Sequence, residues 1–166
     1  MRTLLDACGI PESEREIFLS RVLTSDRHRD IAAYHDARPV LAELRDRGYT
    51  LAVCSNWDWD LRDALGYADL TDAIDLVVSS AWVGARKPHP RIYAHTLRAL
   101  KLAPDEVLFV GDTWSCDVAG PRTAGMQPVY LRRSHFGTDA TAPADHLEDR
   151  NLRRATDLRA VLHLVS

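Results

Sequence analysis

No run of apolar residues in this chain approaches the roughly 20 that a membrane-spanning helix requires. The opening stretch "MRTLLDACGIPESERE" turns acidic too early for a secretory leader. Charge of one sign is lacking too: a net charge of −3 gives no electrostatic case for nucleic acid or an anionic membrane as partner. Cysteine is scarce, limited to Cys8, Cys54 and Cys116, with no CxxC pair and no even-numbered framework, so a reducing, cytoplasmic setting is expected. The seven histidines show no zinc-ligand spacing. Neither a Walker lysine loop nor GxGxxG occurs, which removes support for the nucleotide-binding classes those motifs mark. Internal repeats and low-complexity tracts are absent as well. Lysine is the rarest cation: of 21 basic residues only Lys87 and Lys101 are lysines, and Lys87 stands in an informative place.

What is present suits one globular core: 166 residues, 46% of them hydrophobic. Residues 1–30 pattern as helices broken at "GIP" (9–11), with Glu12 or Ser13 opening the second. A further helix is expected over 39–47, stopping at Gly48. Apolar strands are expected at 49–55, 73–80, 106–112 and 128–131. Helices are expected between them at 57–66, from Pro90 through Leu100, and in a short stretch up to Gly125. Residues 134–150 read as loop, 151–155 as a weak strand or turn, and 157–164 as a last helix. Short, nearly continuous apolar strands alternating with helices imply an α/β fold, a doubly wound parallel sheet covered on both faces. Ligands of such sheets bind beyond the carboxyl ends of the strands, so the residues there are the ones to inspect.

Ser55 and Asn56 follow the first of these strands. A hydroxyl beside amides at a helix start suits phosphate, and either residue would serve equally as a plain N-cap. Lys87 follows the second strand in "ARKPHPRIY", where Pro88 biases it toward an extended backbone and Pro90 starts the next helix. Lysine acts on phosphate as a compact point charge; the plain alternative is a solvated loop residue. Asp112 and Asp117 follow the third strand in "VLFVGDTWSCD". Two carboxylates there suit Mg2+, which takes one or two of them and fills its shell with water and substrate phosphate. The competing assignment is a turn residue and an N-cap. Four tryptophans, Trp57, Trp59, Trp82 and Trp114, lie near these strand ends, either lining a pocket or closing the core.

Taken in order, Ser–Asn, Lys–Pro and Gly–Asp–(four residues)–Asp, each after a strand, resemble the second, third and fourth motifs of the haloacid dehalogenase-like hydrolases. The stretches "AYHDARPVLAELRDRGYTLAVCSN" and "VGDTWSCDVAGPRTAGM" look like the subfamily with a helical cap inserted after the first strand. The resemblance implies a Mg2+-dependent phosphatase of small phosphoesters. Ser55 would hold the transferring phosphoryl group, Lys87 would stabilise its charge, and Asp112 and Asp117 would bind the metal. It implies a domain division into a cap remnant at 1–35 and an α/β core at 36–166.

The first motif of that family, Asp-x-Asp-x-Thr/Val, supplies the nucleophile and the general acid/base, and nothing before Ser55 fits it. The nearest candidate is Asp6 in "LLDACGI", with Cys8 where the second Asp belongs; the stretch reads better as a helix end with Gly9 behind it. The "DWD" at 58–60 falls after the Ser–Asn motif and reads as surface charge. By resemblance the missing strand is central, flanked by those that end at Ser55 and Asp112. Its loss would leave two edges open to self-association. The expectation is a shortened hydrolase of low or no activity, with a non-catalytic phosphate- or metal-binding relative or scaffold as the alternative. A phosphoacceptor receiver domain is disfavoured, because its lysine would follow the acidic residues and Lys87 precedes them.

Overall fold

The computed structural model describes residues 9, 11–17, 31–134, 137–144 and 149–165. The chain divides into two compact units, Met1–Ile31 and Ala32–Ser166. In the first, a short helix (α1) covers 12–17. Its first turn closes through the Glu14 N–H on the Pro11 carbonyl at 2.9 Å.

The second unit runs α2 (Ala37–Asp46), β1 (Ala52–Ser55), α3 (Leu61–Tyr67), β2 (Leu76–Ser79), α4 (Ser80–Val83), α5 (Pro90–Leu100) and β3 (Leu108–Gly111). A π-helical turn (Trp114–Ala119) continues into α6 (Gly120–Thr123), followed by β4 (Gln127–Leu131), β5 (Arg153–Ala155) and a 3₁₀ turn (Arg159–His163). This is the expected alternation of parallel strands and helices, with three local differences. The first strand begins at Ala52 because Leu51 is bound by a side chain, its N–H donating to the Asp75 carboxylate at 2.8 Å. The helix expected over 57–66 starts only at Leu61, since Ser79 and Ser80 hold the Trp57 and Asp58 carbonyls in a turn. The last helix is a 3₁₀ turn.

All strand pairs are parallel, but the strands form two sheets, β1–β2 and β3–β4–β5. Among the described residues β1 pairs only with β2, and β3 only with β4. On one face the two sheets share a core. Cys54 of β1, Val78 of β2 and Phe109 of β3 pack with Ile92 and Tyr93 of α5, as the period-2 geometry of buried strands requires. On the other face the apolar layer divides into two clusters. Val53 and Val77 lie with Leu61 and Leu65 of α3, while Leu108, Val110 and Val129 lie with Ala155 and Val161. Helix α2 bridges that division. Its Arg45 guanidinium donates to the Asp72 carbonyl, and Arg47 just beyond its end donates to the Leu162 carbonyl at 3.1 Å.

At the start of α2 lies the most deeply buried charge described. Asp36 is 0% exposed, and both its oxygens accept from Nη2 of Arg133, at 2.8 and 2.9 Å. The Leu158 N–H adds a third bond at 2.7 Å, and the guanidinium lies 4.1 Å from the Tyr34 ring centroid. Burial alone would raise the Asp36 pKa, but the Leu158 amide and the Arg133 charge outweigh it and hold the carboxyl below its ordinary 3.8. Removing one partner of a buried pair strands the other. Arg133→Ala should therefore cost about 3–5 kcal/mol in urea unfolding at neutral pH. With its folded pKa lowered, Asp36 contributes fully above about pH 4 and loses that contribution as pH falls through the folded value. The gap between wild type and variant should narrow on acidification.

Candidate functional site

Of the residues singled out from the sequence, Ser55 and Asn56 lie at the carboxyl end of β1, Asp112 and Asp117 beyond β3, and Lys87 on the loop after β2 and α4. Ser55 is the last residue of β1, opposite Ser79 in the ladder, and its hydroxyl bonds to no described residue. Neither Ser55 nor Asn56 is a helix cap, and no helix follows them at once: α3 starts at Leu61, with Asp60 in the cap position. The expected amide cradle at a helix start is thus replaced by the 57–60 turn.

Asn56 has a different task. Its Oδ1 accepts from the Lys87 N–H at 2.6 Å, and its Nδ2 donates to the Lys87 carbonyl at 2.9 Å. One amide side chain therefore clamps the Lys87 backbone from both sides, as a neighbouring strand would. The Lys87–Pro88 peptide is cis. Held in this way, Lys87 is not a solvated loop residue. Its Nζ lies 2.7 Å from Oδ1 of Asp117, with side-chain exposures of 11% and 6%, and 5.3 Å from the Phe109 ring centroid.

Asp117 reaches this position through an unusual stretch of backbone. Its own N–H donates to the Thr113 carbonyl at 2.7 Å, and its Oδ2 accepts from the Thr113 N–H at 3.0 Å. The carboxylate comes so close to Gly111 that any Cβ there would overlap it. Over Trp114–Ala119 the helix is wound in π register, and the Gly120 N–H reaches back to the Ser115 carbonyl. In that register the Cys116 carbonyl would look to residue 121, but Pro121 has no N–H to give. The Tyr93 hydroxyl donates to it instead, at 2.7 Å. Gly120 makes room, since a Cβ at that position would overlap the Tyr93 oxygen. Burial, then the neighbouring Cys116 and Asp117, push the Tyr93 pKa up, so the phenol stays a donor.

Asp112, one residue past β3, is exposed, and its carboxylate has no hydrogen bond or ion pair to a described residue. Its backbone carbonyl accepts from Arg132 at 3.3 Å. Asp112, Asp117 and Lys87 together carry a net charge of −1. The donor set suits a hard cation held by one or two carboxylates and completed by waters and phosphate oxygens. Among the described residues no three acidic, histidine or cysteine side chains gather as a closed metal site. Asp112 has a free carboxylate to offer; Asp117 has only the lone pairs that Lys87 and Thr113 leave over.

Asp6 lies outside the described residues. Of the tryptophans, two pack inward. Trp57 joins the α3 cluster and donates to Asp60 at 3.1 Å, and Trp114 meets Tyr130 edge-on at 5.5 Å. Trp59 and Trp82 are 70% and 42% exposed. One residue beside the site was missed in the sequence altogether: Asp139, in the stretch read as loop. Its Oδ2 accepts from the Trp114 N–H at 2.6 Å and the Tyr130 hydroxyl at 2.9 Å. Burial opposes its charge, but bonds from Thr141, Trp114 and Tyr130 prevail and hold its pKa at about 2. Burial, and then that carboxylate, push the Tyr130 pKa up to about 12.

The chain matches the family described as haloacid dehalogenase-like hydrolase over residues 1–130. It is 38% identical over 159 residues to a phosphoserine phosphatase of Thermus thermophilus, covering 95% of this chain and 60% of that protein. It is 34% identical over 122 residues to (S)-2-haloacid dehalogenase 1 of a Pseudomonas species, covering 72% and 52%. The chain thus spans at most about three fifths of these relatives. The crystal structure of an HAD phosphatase from Thermococcus onnurineus superposes with a TM-score of 0.69 at 26% identity, covering 98% of this chain and 85% of that one.

The ion pair between Lys87 and Asp117 is buried, so Lys87→Ala should cost about 3–5 kcal/mol of stability, read by urea unfolding. Asn56→Ala leaves the Lys87 N–H and carbonyl without the amide and should cost about 1–3 kcal/mol.

Proposed function

The chain belongs to the haloacid dehalogenase-like hydrolases, and from that premise we propose that it carries the phosphate- and Mg2+-binding half of a phosphotransfer site for small phosphoesters. The observation behind this reading is the buried pairing of Lys87 with Asp117 at 2.7 Å; Asp112, whose carboxylate no described residue engages, stands on the same segment beyond β3 as Asp117. Two carboxylates beside one lysine repel a phosphate unless a cation joins them. Asp112, with Asp117 in support, would hold Mg2+, which when bound would reverse that balance by neutralising charge on the phosphoryl oxygens. Ser55 offers a hydroxyl to the phosphoryl group, and Lys87 a positive charge. Asn56 acts one step back from the substrate, by holding Lys87.

Relatives include haloacid dehalogenases as well as phosphatases. The acidic pair favours the phosphoester, since a singly charged haloacid gains nothing from a second carboxylate beside its lysine. No Asp-x-Asp-x-Thr pattern precedes Ser55, so in this reading, with Asp6 as the one weak candidate, the chain lacks that motif's attacking carboxylate and acid/base. Loss of a positioned acid/base alone costs about 10²–10⁴ in rate, and loss of the covalent nucleophile adds to that. Turnover by the chain itself is therefore low or nil. The remaining expectations keep their place in this reading: a helical-cap segment at 1–35, a core at 36–166, a cytoplasmic setting, and self-association through the edges of β1 and β3 that no described strand covers. No helix among the described residues is long and apolar enough to cross a membrane.

The test is titration of the purified chain with inorganic phosphate, with and without millimolar Mg2+, followed by calorimetry. Mg2+-dependent binding is expected, weakened at least about 10- to 100-fold in Asp112→Asn, the range that even an outer-shell ligand partner commands. An aryl phosphate should not be hydrolysed above background. Phosphate binding indifferent to both Mg2+ and Asp112 would overturn the site. Robust hydrolysis lost in Asp112→Asn would overturn the inactive reading and bring Asp6 forward; binding without turnover also fits the non-catalytic alternative.

A further inference from the structure

Beyond the residues that would meet metal or phosphate, the structure joins a distant loop to the strand-end carboxylates. The Asp139 carboxylate accepts four hydrogen bonds. Trp114 N–H and the Tyr130 hydroxyl share Oδ2 at 2.6 and 2.9 Å. The Thr141 N–H and hydroxyl share Oδ1 at 2.9 and 2.7 Å. The Thr141 oxygen in turn accepts from the Ser115 N–H at 3.1 Å. Trp114 and Ser115 open the π turn, where backbone donors have no acceptor within their own helix. Arg132 completes the connection, since its guanidinium donates both to the Asp112 carbonyl and to the Gly137 carbonyl.

We propose that Asp139 and Thr141 are positioning residues for the metal site: a latch that fixes the backbone between Asp112 and Asp117 without touching the ion. The inference rests on the reading of Asp112 and Asp117 as Mg2+ ligands. Three features support it. With four bonds accepted, Asp139 has used the acceptor capacity of a carboxylate and is not itself a third ligand. The latched amides lie between the two aspartates in sequence, two and three residues beyond Asp112 and three and two before Asp117. The Asp112 carbonyl is tied by Arg132 to the same loop, so both ends of the 112–115 segment are held from outside it. Mg2+ tolerates little departure from octahedral geometry, so a segment bearing its ligands gains from being fixed before the ion arrives.

Outer-shell partners of metal ligands commonly command about 10- to 100-fold in affinity. Mg2+ affinity, measured by competition with Mn2+ followed by electron paramagnetic resonance, should fall by about that factor in Asp139→Ala. It should fall by about tenfold in Thr141→Val, and stay near wild type in Thr141→Ser, which keeps the hydroxyl. Thermal melts of each variant separate a folding defect from a binding defect. A lower Tm with unchanged Mg2+ affinity in both Asp139→Ala and Thr141→Val would reduce the latch to a structural contact and overturn the proposal. Equal losses in Thr141→Ser and Thr141→Val would overturn the role given to the hydroxyl. Asp112→Asn tells the two levels apart. If it binds as well as wild type, or if wild type binds no Mg2+, the metal site falls and the latch with it. If Asp112→Asn loses binding while the latch variants keep it, only the latch falls.

Discussion

Lys87 is where the two halves of this structure are tied together. Its backbone is gripped by Asn56 from the end of β1, its side chain meets Asp117 beyond β3, and it sits on the loop that leaves β2 and α4. Two short parallel sheets with no ladder bond between them among the described residues have only packing and such cross-ties to fix their relation. A packed layer tolerates sliding; a clamped amide and a buried ion pair do not, because each loses its full desolvation compensation once displaced. The same contacts that assemble the site therefore also hold the two sheets in line.

The rest of the architecture distributes that demand. On the α5 face one apolar cluster runs under both sheets. On the opposite face the clusters stay separate, and α2 bridges them with guanidinium groups on carbonyls and with the buried Asp36–Arg133 pair. Polar ties thus stand where a continuous hydrophobic layer would otherwise be. Such ties are directional, and this favours one arrangement more sharply than apolar burial of similar extent would.

The strands and the positions of Ser55, Asn56 and Asp112 were legible because these residues stand at or just past apolar runs, where local pattern and topology agree; Lys87, beyond α4, and Asp117, within the π turn, were marked by composition and spacing instead. The work of Asn56 was not legible. Its partners lie 31 residues away, and an Asn beyond a strand reads equally well as a cap. Asp139 was hidden for a similar reason: it sits in an Asp-, Ala-, Pro- and Thr-rich stretch without period, and its partner Trp114 is 25 residues upstream. Helix α3 started late because Ser79 and Ser80, two of the small polar residues at the end of β2, were occupied with carbonyls of the preceding loop. Periodicity over 114–123 signalled a helix but carried no sign of its register, apart from the Gly–Pro pair at 120–121.

That pair has a wider meaning. A proline at 121 leaves one carbonyl of the preceding turn without a backbone donor, whichever way the turn is wound. In α register the deprived group would be Asp117; in π register it is Cys116, which Tyr93 can reach and Gly120 leaves uncovered. A single phenolic oxygen, on a helix that contributes nothing to the site itself, thereby selects the winding. With it comes the direction in which Asp117 points.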